Sequence, residues 1–174
     1  MFWGRARAPQ AIQTRVLMVC MGNICRSPTA EAVLRHKLQV AGLDRLVEVD
    51  SAGTHGGHAG EPPDARAQRQ AKLRGYDLSR LRARRLITED FERFDRVVAM
   101  DEDNLSRMTD LAPVGHAARL ELLMAHSTHY AGTSAVPDPY YGPLAGFDHV
   151  LDLIEDACDG LVSELTQGLS AARV

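Results

Sequence analysis

Cysteine is scarce in this chain, with three in 174 residues. That is too few for a disulfide framework at this length, and a thiol that does chemistry needs a reducing compartment. The cytoplasm is therefore the expected location. No stretch approaches the roughly 20 apolar residues of a membrane span. The net charge of −3 is too mild to imply nucleic acid or a membrane surface as a general partner. Internal repeats, low-complexity blocks and a second domain are all missing. Metal ligands are sparse as well: His55 and His58 have His-x-x-His spacing, but no further ligand clusters near them, so no metal and no cofactor is expected.

What is present suits one soluble domain, 45% hydrophobic and 25% charged, large enough for a real core. Residues 1–14 are set apart as a flexible tail, with residues 15–174 as the domain. The tail carries Arg5 and Arg7 but no acid, and it lacks the apolar centre of a secretory signal.

The chain is organised around Val16 to Val33, VLMVCMGNICRSPTAEAV. Val16 to Val19 reads as a short buried strand that ends at Cys20. After Arg26 the apolar residues Ala30, Val33, Leu34 and Leu38 take helical spacing, with Ser27 expected as N-cap and Pro28 at the first helical position. Met21, Gly22, Asn23, Ile24, Cys25 and Arg26 then form a tight loop between strand and helix. Such a loop aims unpaired backbone N–H groups inward and adds the positive end of a helix dipole, a cradle for a tetrahedral oxyanion. Gly22 and Asn23 tolerate the left-handed backbone that this requires. Arg26 offers a planar fork for two phosphate oxygens. The same field favours a thiolate at Cys20, to which Ser27 is placed to donate a hydrogen bond. A thiolate beneath a bound phosphate is a nucleophile facing its electrophile.

Further along, Arg45–Asp50 and Arg96–Met100 read as strands, and Arg119–Met124 as a fourth with a helix competing. Helices are expected over Asp64–Arg74, near Phe91, after a capping Asp101, and from Gly146 to the end, where Cys158 lies on the apolar stripe. A strand–helix–strand start implies a parallel sheet with ligand at its carboxyl end. The fold class is α/β in three layers, a four-stranded parallel sheet with helices on both faces. From Asp64 to Arg85 eight Lys or Arg stand against two acids; without interleaved aromatics the run reads as a solvated face.

The loop CMGNICRSP, together with Asp138-Pro139-Tyr140-Tyr141-Gly142, resembles the low-molecular-weight protein tyrosine phosphatase family. The similarity runs from about Arg15 to the last helix. It implies a protein-tyrosine phosphatase with Cys20 as nucleophile, Arg26 as phosphate clamp and Asp138 as general acid and base, in preference to His126 or His129. The resemblance also implies that Ser51 bonds Asn23 and holds the cradle's shape. It makes the loop from His55 to Pro63 one wall of the substrate mouth, opposite Tyr140 and Tyr141. Where many members carry an aromatic ring in that wall, this chain has Gly57, with His58 beside it. The implied partner is a tyrosine-phosphorylated protein, for bacterial members a tyrosine kinase of polysaccharide export, acted on by a monomer or weak dimer. Two other functions compete: an arsenate reductase, which would need cysteines this chain lacks between Cys25 and Cys158, and a phosphotyrosine-binding module without turnover. Cys25, five positions from Cys20, is either a buried loop residue or the partner in a reversible disulfide.

Overall fold

The structure is a computed structural model and describes residues 11–172. Four strands, β1 (Thr14–Cys20), β2 (Val47–Gly53), β3 (Arg96–Ala99) and β4 (Arg119–Leu122), form one parallel sheet in the order β2-β1-β3-β4. Alternation along β1 builds the two cores. Val16, Met18 and Cys20 face a layer made by helix α1 (Arg26–Val40) and the long helix α5 (Leu144–Ala171), with α2 (Ala65–Leu73) at its side. Leu17 and Val19 face the opposite layer, where Phe91 and Phe94 around α3 (Asp90–Arg93) and Met108 of α4 (Glu102–Leu111) are buried. A central strand covered on both faces has no polar position to spare, which is why it reads as a continuous apolar run.

Several boundaries differ from the sequence reading, each for a physical reason. β1 begins at Thr14, inside the segment set apart as a tail, because Gln13 and Thr14 both donate to the Leu46 carbonyl; residues 1–10 of that segment lie outside the described residues. β2 runs past Asp50 to Gly53, since Gly53 pairs with Cys20 on one side and bridges Arg85 on the other. The stretch from Arg119 divides, β4 stopping at Leu122 and a 3-10 turn taking Leu123–His126.

Ser27 is not the N-cap of α1. The helix starts two residues earlier than expected, and Cys25 occupies the cap position with no side-chain bond to the helix. The Ser27 hydroxyl instead meets the Cys20 sulfur, the Asn23 amide and the Ala52 carbonyl. Pro28 still falls within the first turn, where its missing N–H costs nothing. Asp64 and Asp101 do cap their helices, accepting from Arg66 N and Asn104 N.

Candidate active site

Cys20 ends the central strand, and the chain turns through Met21–Cys25 into α1. The carbonyls of this turn are drawn outward. Cys20 O accepts from Thr54 N, Met21 O from His55 N, and Ile24 O from Asp64 N. The amides point the other way: no backbone N–H from Met21 to Arg26 donates to a partner among the described residues. Six N–H groups are thus unpartnered, and five of their residues (Met21, Gly22, Ile24, Cys25 and Arg26) line one concavity, the arrangement that binds an anion.

Asn23 makes the turn possible. It holds a left-handed backbone at φ 55°, and its side chain is fully used. Nδ2 donates to Ser27 Oγ at 2.8 Å and to Ser51 Oγ at 2.9 Å, while Oδ1 accepts from Arg84 N at 2.9 Å. Ser51 in turn donates to Glu31 at 2.5 Å; burial pushes the Glu31 carboxyl above its usual range, against the bonds from Ser51 and Arg35. Because Asn23 donates to Ser27, the Ser27 proton is left for two acceptors, the Cys20 sulfur 3.0 Å away and the Ala52 carbonyl at 3.4 Å. Gly53 completes the floor. A Cβ there would stand 2.8 Å from Met21 O, closer than real contacts allow, and a tight 3.1 Å from Asn23 N. Gly22 matters for space rather than backbone, since its added Cβ would meet His58 Cδ2 at 3.1 Å.

Arg26 lies almost wholly buried above this floor, 3% exposed. Its Nη1 bonds Asp101 Oδ2 at 2.5 Å and the Val136 carbonyl at 3.1 Å, and Nη2 sits 3.5 Å from Asp138 Oδ2. Burial works against its charge, but Cys20 and the two aspartates outweigh it and raise its pKa. The guanidinium is thus held flat at the pocket wall. Cys25 differs: burial first, then Asp64 and Cys20, push its thiol up to about 12. Cys158 sits in the α5 core, and burial drives its thiol higher still.

The pocket is about 330 Å³ and is lined by Cys20, Met21, Gly22, Ile24, Cys25 and Arg26, with Asp138, Tyr140, Tyr141, His55 and His58 at the mouth. Asn23, Ser27 and Ser51 lie beneath, buried. Tyr140 and Tyr141 meet edge to face at 4.8 Å, and Arg66 lies 5.4 Å over the Tyr140 ring. Gly57 is on the mouth loop but not in the lining. The wall there is imidazole: His55 Nδ1 accepts from Gly57 N, and His58 Nδ1 contacts Glu61 at 2.7 Å.

With that geometry in view, comparison with known proteins gives one answer. The family model for low molecular weight phosphotyrosine protein phosphatases matches residues 15–171.

The chain belongs to that family.

A low molecular weight protein-tyrosine-phosphatase of Streptomyces coelicolor is 44% identical over 155 residues, 88% of this chain and 94% of that protein. A low molecular weight phosphotyrosine protein phosphatase of Schizosaccharomyces pombe is 42% identical over 144 residues, 81% of this chain and 90% of its own. Among solved structures, a protein tyrosine phosphatase of Entamoeba histolytica with Hepes in its active site superposes with a TM-score of 0.85 at 39% identity, covering 90% of this chain and 99% of that one.

Within the family scaffold, the sequence reading overlooked four groups. Asp101, read only as a cap, also holds Arg26; its position at the carboxyl end of a strand beside β1 was the available signal. His55 was weighed only for metal. Gly53 and the backbone of Arg84 had no local signature, because their work is done by shape and by a main-chain N–H. His126 and His129 are not at the pocket: His126 lies between Glu121 and Glu164, and His129 bonds Asp156.

Proposed function

We propose that this protein hydrolyses phosphotyrosine in proteins through a phosphoryl-cysteine at Cys20. The observation that supports this most is the set of six unpartnered amides around a sulfur that already receives the Ser27 hydroxyl. In the first step the Cys20 sulfur attacks phosphorus and the bond to the tyrosyl oxygen breaks. The loop amides and the Arg26 fork hold the three equatorial oxygens, where charge gathers in the transition state. Asp138 gives its proton to the departing phenolate oxygen. In the second step water attacks the same phosphorus, the Asp138 carboxylate takes a water proton, and Cys20 leaves as thiolate with inorganic phosphate as product. Asn23, Ser27 and Ser51 hold the loop and the sulfur in place. Tyr140 and Tyr141 on one side and His58 on the other form a slot deep enough to favour an aryl over an alkyl phosphate. Asp138 belongs to the same step as Arg26, which it approaches across the mouth.

The substrate follows the resemblance of the chain to bacterial members: a tyrosine kinase of polysaccharide export. A Cys20→Ser protein used as a trap in native cells captures such a kinase on this reading; capture of unphosphorylated proteins alone contradicts it. Cys25 acts as the resolving thiol under peroxide. Oxidation of Cys20 to the sulfenic acid, followed by attack of the Cys25 sulfur, forms the disulfide and releases water. Inactivation that thiol fails to reverse, or that stays equally reversible in Cys25→Ala, removes this role.

The activity itself is tested with p-nitrophenyl phosphate. Release of nitrophenol that EDTA leaves unchanged and vanadate blocks is the expected result; no release, or release that depends on added metal, overturns the proposal.

A further inference from the structure

Apart from the exposed Arg69 and Lys72 on α2, the basic run between Asp64 and Arg85 divides into two populations. Arg66, Arg74 and Arg84 are committed to carboxylates: Asp64, the group Asp148, Asp152 and Glu155 on α5, and Asp50 with Asp90. Arg80, Arg82 and Arg85 are exposed and pair with no carboxylate among the described residues. Arg82 spends its N–H groups on the carbonyls of Ser79 and Leu81, which leaves its charge uncompensated.

Backbone bonds hold the segment that carries Arg82 and Arg85 to the rim of the pocket, whereas Arg80 lies beyond it beside Asp77. Gly53, the partner of Cys20 in the sheet, donates to Arg84 O and accepts from Leu86 N. Gly60 N donates to Ala83 O, and Ala83 N to Glu61 O, so the segment also edges the mouth loop. The stem of Arg85 lies against that loop: a Cβ on Gly56 would be 3.3 Å from Arg85 Cδ, next in sequence to the pocket-lining His55. The carboxylate on the facing stretch, Glu61, is already engaged by His58. Asp77, further back, accepts from Ser79 N.

We propose that Arg82 and Arg85 form a docking edge for acidic residues flanking the phosphotyrosine of a protein substrate. This rests on the phosphatase reading. A phosphotyrosine seated on the cradle leaves its neighbouring residues on the rim, the side on which the Arg85 stem meets the mouth loop, and exposed charges act over ~10 Å at moderate salt. Loose, exposed pairs of this kind favour encounter and partner choice more than tight holding. Two of them give roughly a three- to tenfold gain in kcat/KM, carried mainly by KM. Nucleic acid is the less suited occupant. Single-stranded binding relies on aromatic platforms between the cations, and the one aromatic residue in the run, Tyr76, is buried.

The test compares two phosphotyrosine peptides that differ only in carrying Glu or Gln beside the tyrosine, with p-nitrophenyl phosphate as the small-substrate control. The full-length chain should turn over the Glu peptide about three- to tenfold more efficiently at low salt, with the difference shrinking as salt rises. Combined Arg82→Glu and Arg85→Glu should erase or invert that preference and leave p-nitrophenyl phosphate turnover unchanged. The corresponding double Lys variant should retain it. If the double Glu protein melts early, Arg82→Gln and Arg85→Gln are measured singly for a partial loss. Equal efficiency on both peptides in the unaltered protein overturns the docking edge, as does a preference that the Glu variant keeps. Binding of a single-stranded oligonucleotide at this edge, with no peptide preference, overturns it too. Absence of p-nitrophenyl phosphate turnover in the unaltered protein is a different failure, that of the phosphatase reading itself.

Discussion

The two halves of the pocket are built to different standards. On the nucleophile side, from Cys20 to Ser27, Cys20 and Arg26 are each 3% exposed and Asn23 is 1% exposed, and Asn23 and Ser27 have their polar side-chain atoms committed. On the acid side, Asp138 is 46% exposed, and the Tyr141 ring stands in solvent. That second loop is tied at its root by Asp156, which accepts from Ser127, Thr128 and His129, and near its tip by Val136 N to Met100 O. Asp138 and the two tyrosines lie beyond these ties, exposed, with Arg66 donating to Tyr140 O. On the proposed mechanism, groups that meet developing charge are fixed in advance, because reorganising them during the reaction would raise the barrier. Groups that admit a protein side chain and reach its leaving oxygen are left at the surface.

The sharpest way to break this contrast is on the rigid side. Cys20→Ser should lower turnover at least ~10⁴-fold, the scale seen when a covalent nucleophile is lost, while vanadate or phosphate still binds, as read by protection against thermal melting. Arg26→Lys keeps the charge but loses the fork. It should cost roughly 10²–10³ in kcat, and a loss under tenfold would mean the guanidinium is not aimed at the phosphoryl oxygens. Asp138→Ala, on the exposed side, should cost about 10²-fold with poor leaving groups and far less with good ones. Equal slowing across a series of aryl phosphates would count against the acid role.

Smaller effects refine the contrast. Asp156→Ala should lower stability by about 1–3 kcal/mol, the cost of leaving its donors unsatisfied, and widen the gap between good and poor leaving groups. The Ser127, Thr128 and His129 bonds outweigh burial and hold the Asp156 carboxyl well below its usual range. Its contribution is therefore present above the ordinary carboxylate pKa and is lost on acidification.

The Cys25 thiol has the opposite sign. Its protonated form is favoured in the fold, so that contribution is complete below the ordinary thiol value of 9.0 and disappears as pH climbs toward about 12. Iodoacetamide at mildly alkaline pH should accordingly leave Cys25 and Cys158 unmodified in the native protein; rapid labelling of Cys25 would contradict its raised pKa.

How far each half could be read from sequence follows the same division. Cys20, Asn23, Arg26 and Ser27 stand within eight residues, so one strand end and one helix start place them together whatever the rest of the chain does. Asp138 was legible only through its resemblance, because an Asp-Pro turn has no intrinsic tie to a cysteine 118 positions earlier; the tie is the Val136 carbonyl on Arg26. Ser27 was misassigned as a cap for an instructive reason. Ser-Pro at a helix start satisfies the local rule, and only the sulfur of Cys20 and the amide of Asn23, both brought in by the turn, outbid the helix for its hydroxyl. Gly53 and Arg84 carry no pattern at all. One is needed for what it lacks, the other for a backbone N–H that any residue but proline supplies.

The most direct measurement is of the enzyme caught in turnover, denatured rapidly with excess aryl phosphate present and mapped by peptide mass. The phosphoryl group should lie on the sulfur of Cys20, and in larger amount in Asp138→Ala with a good leaving group. A protein that turns over while carrying no phosphoryl group, or that carries it on any other residue, would contradict the mechanism at its centre.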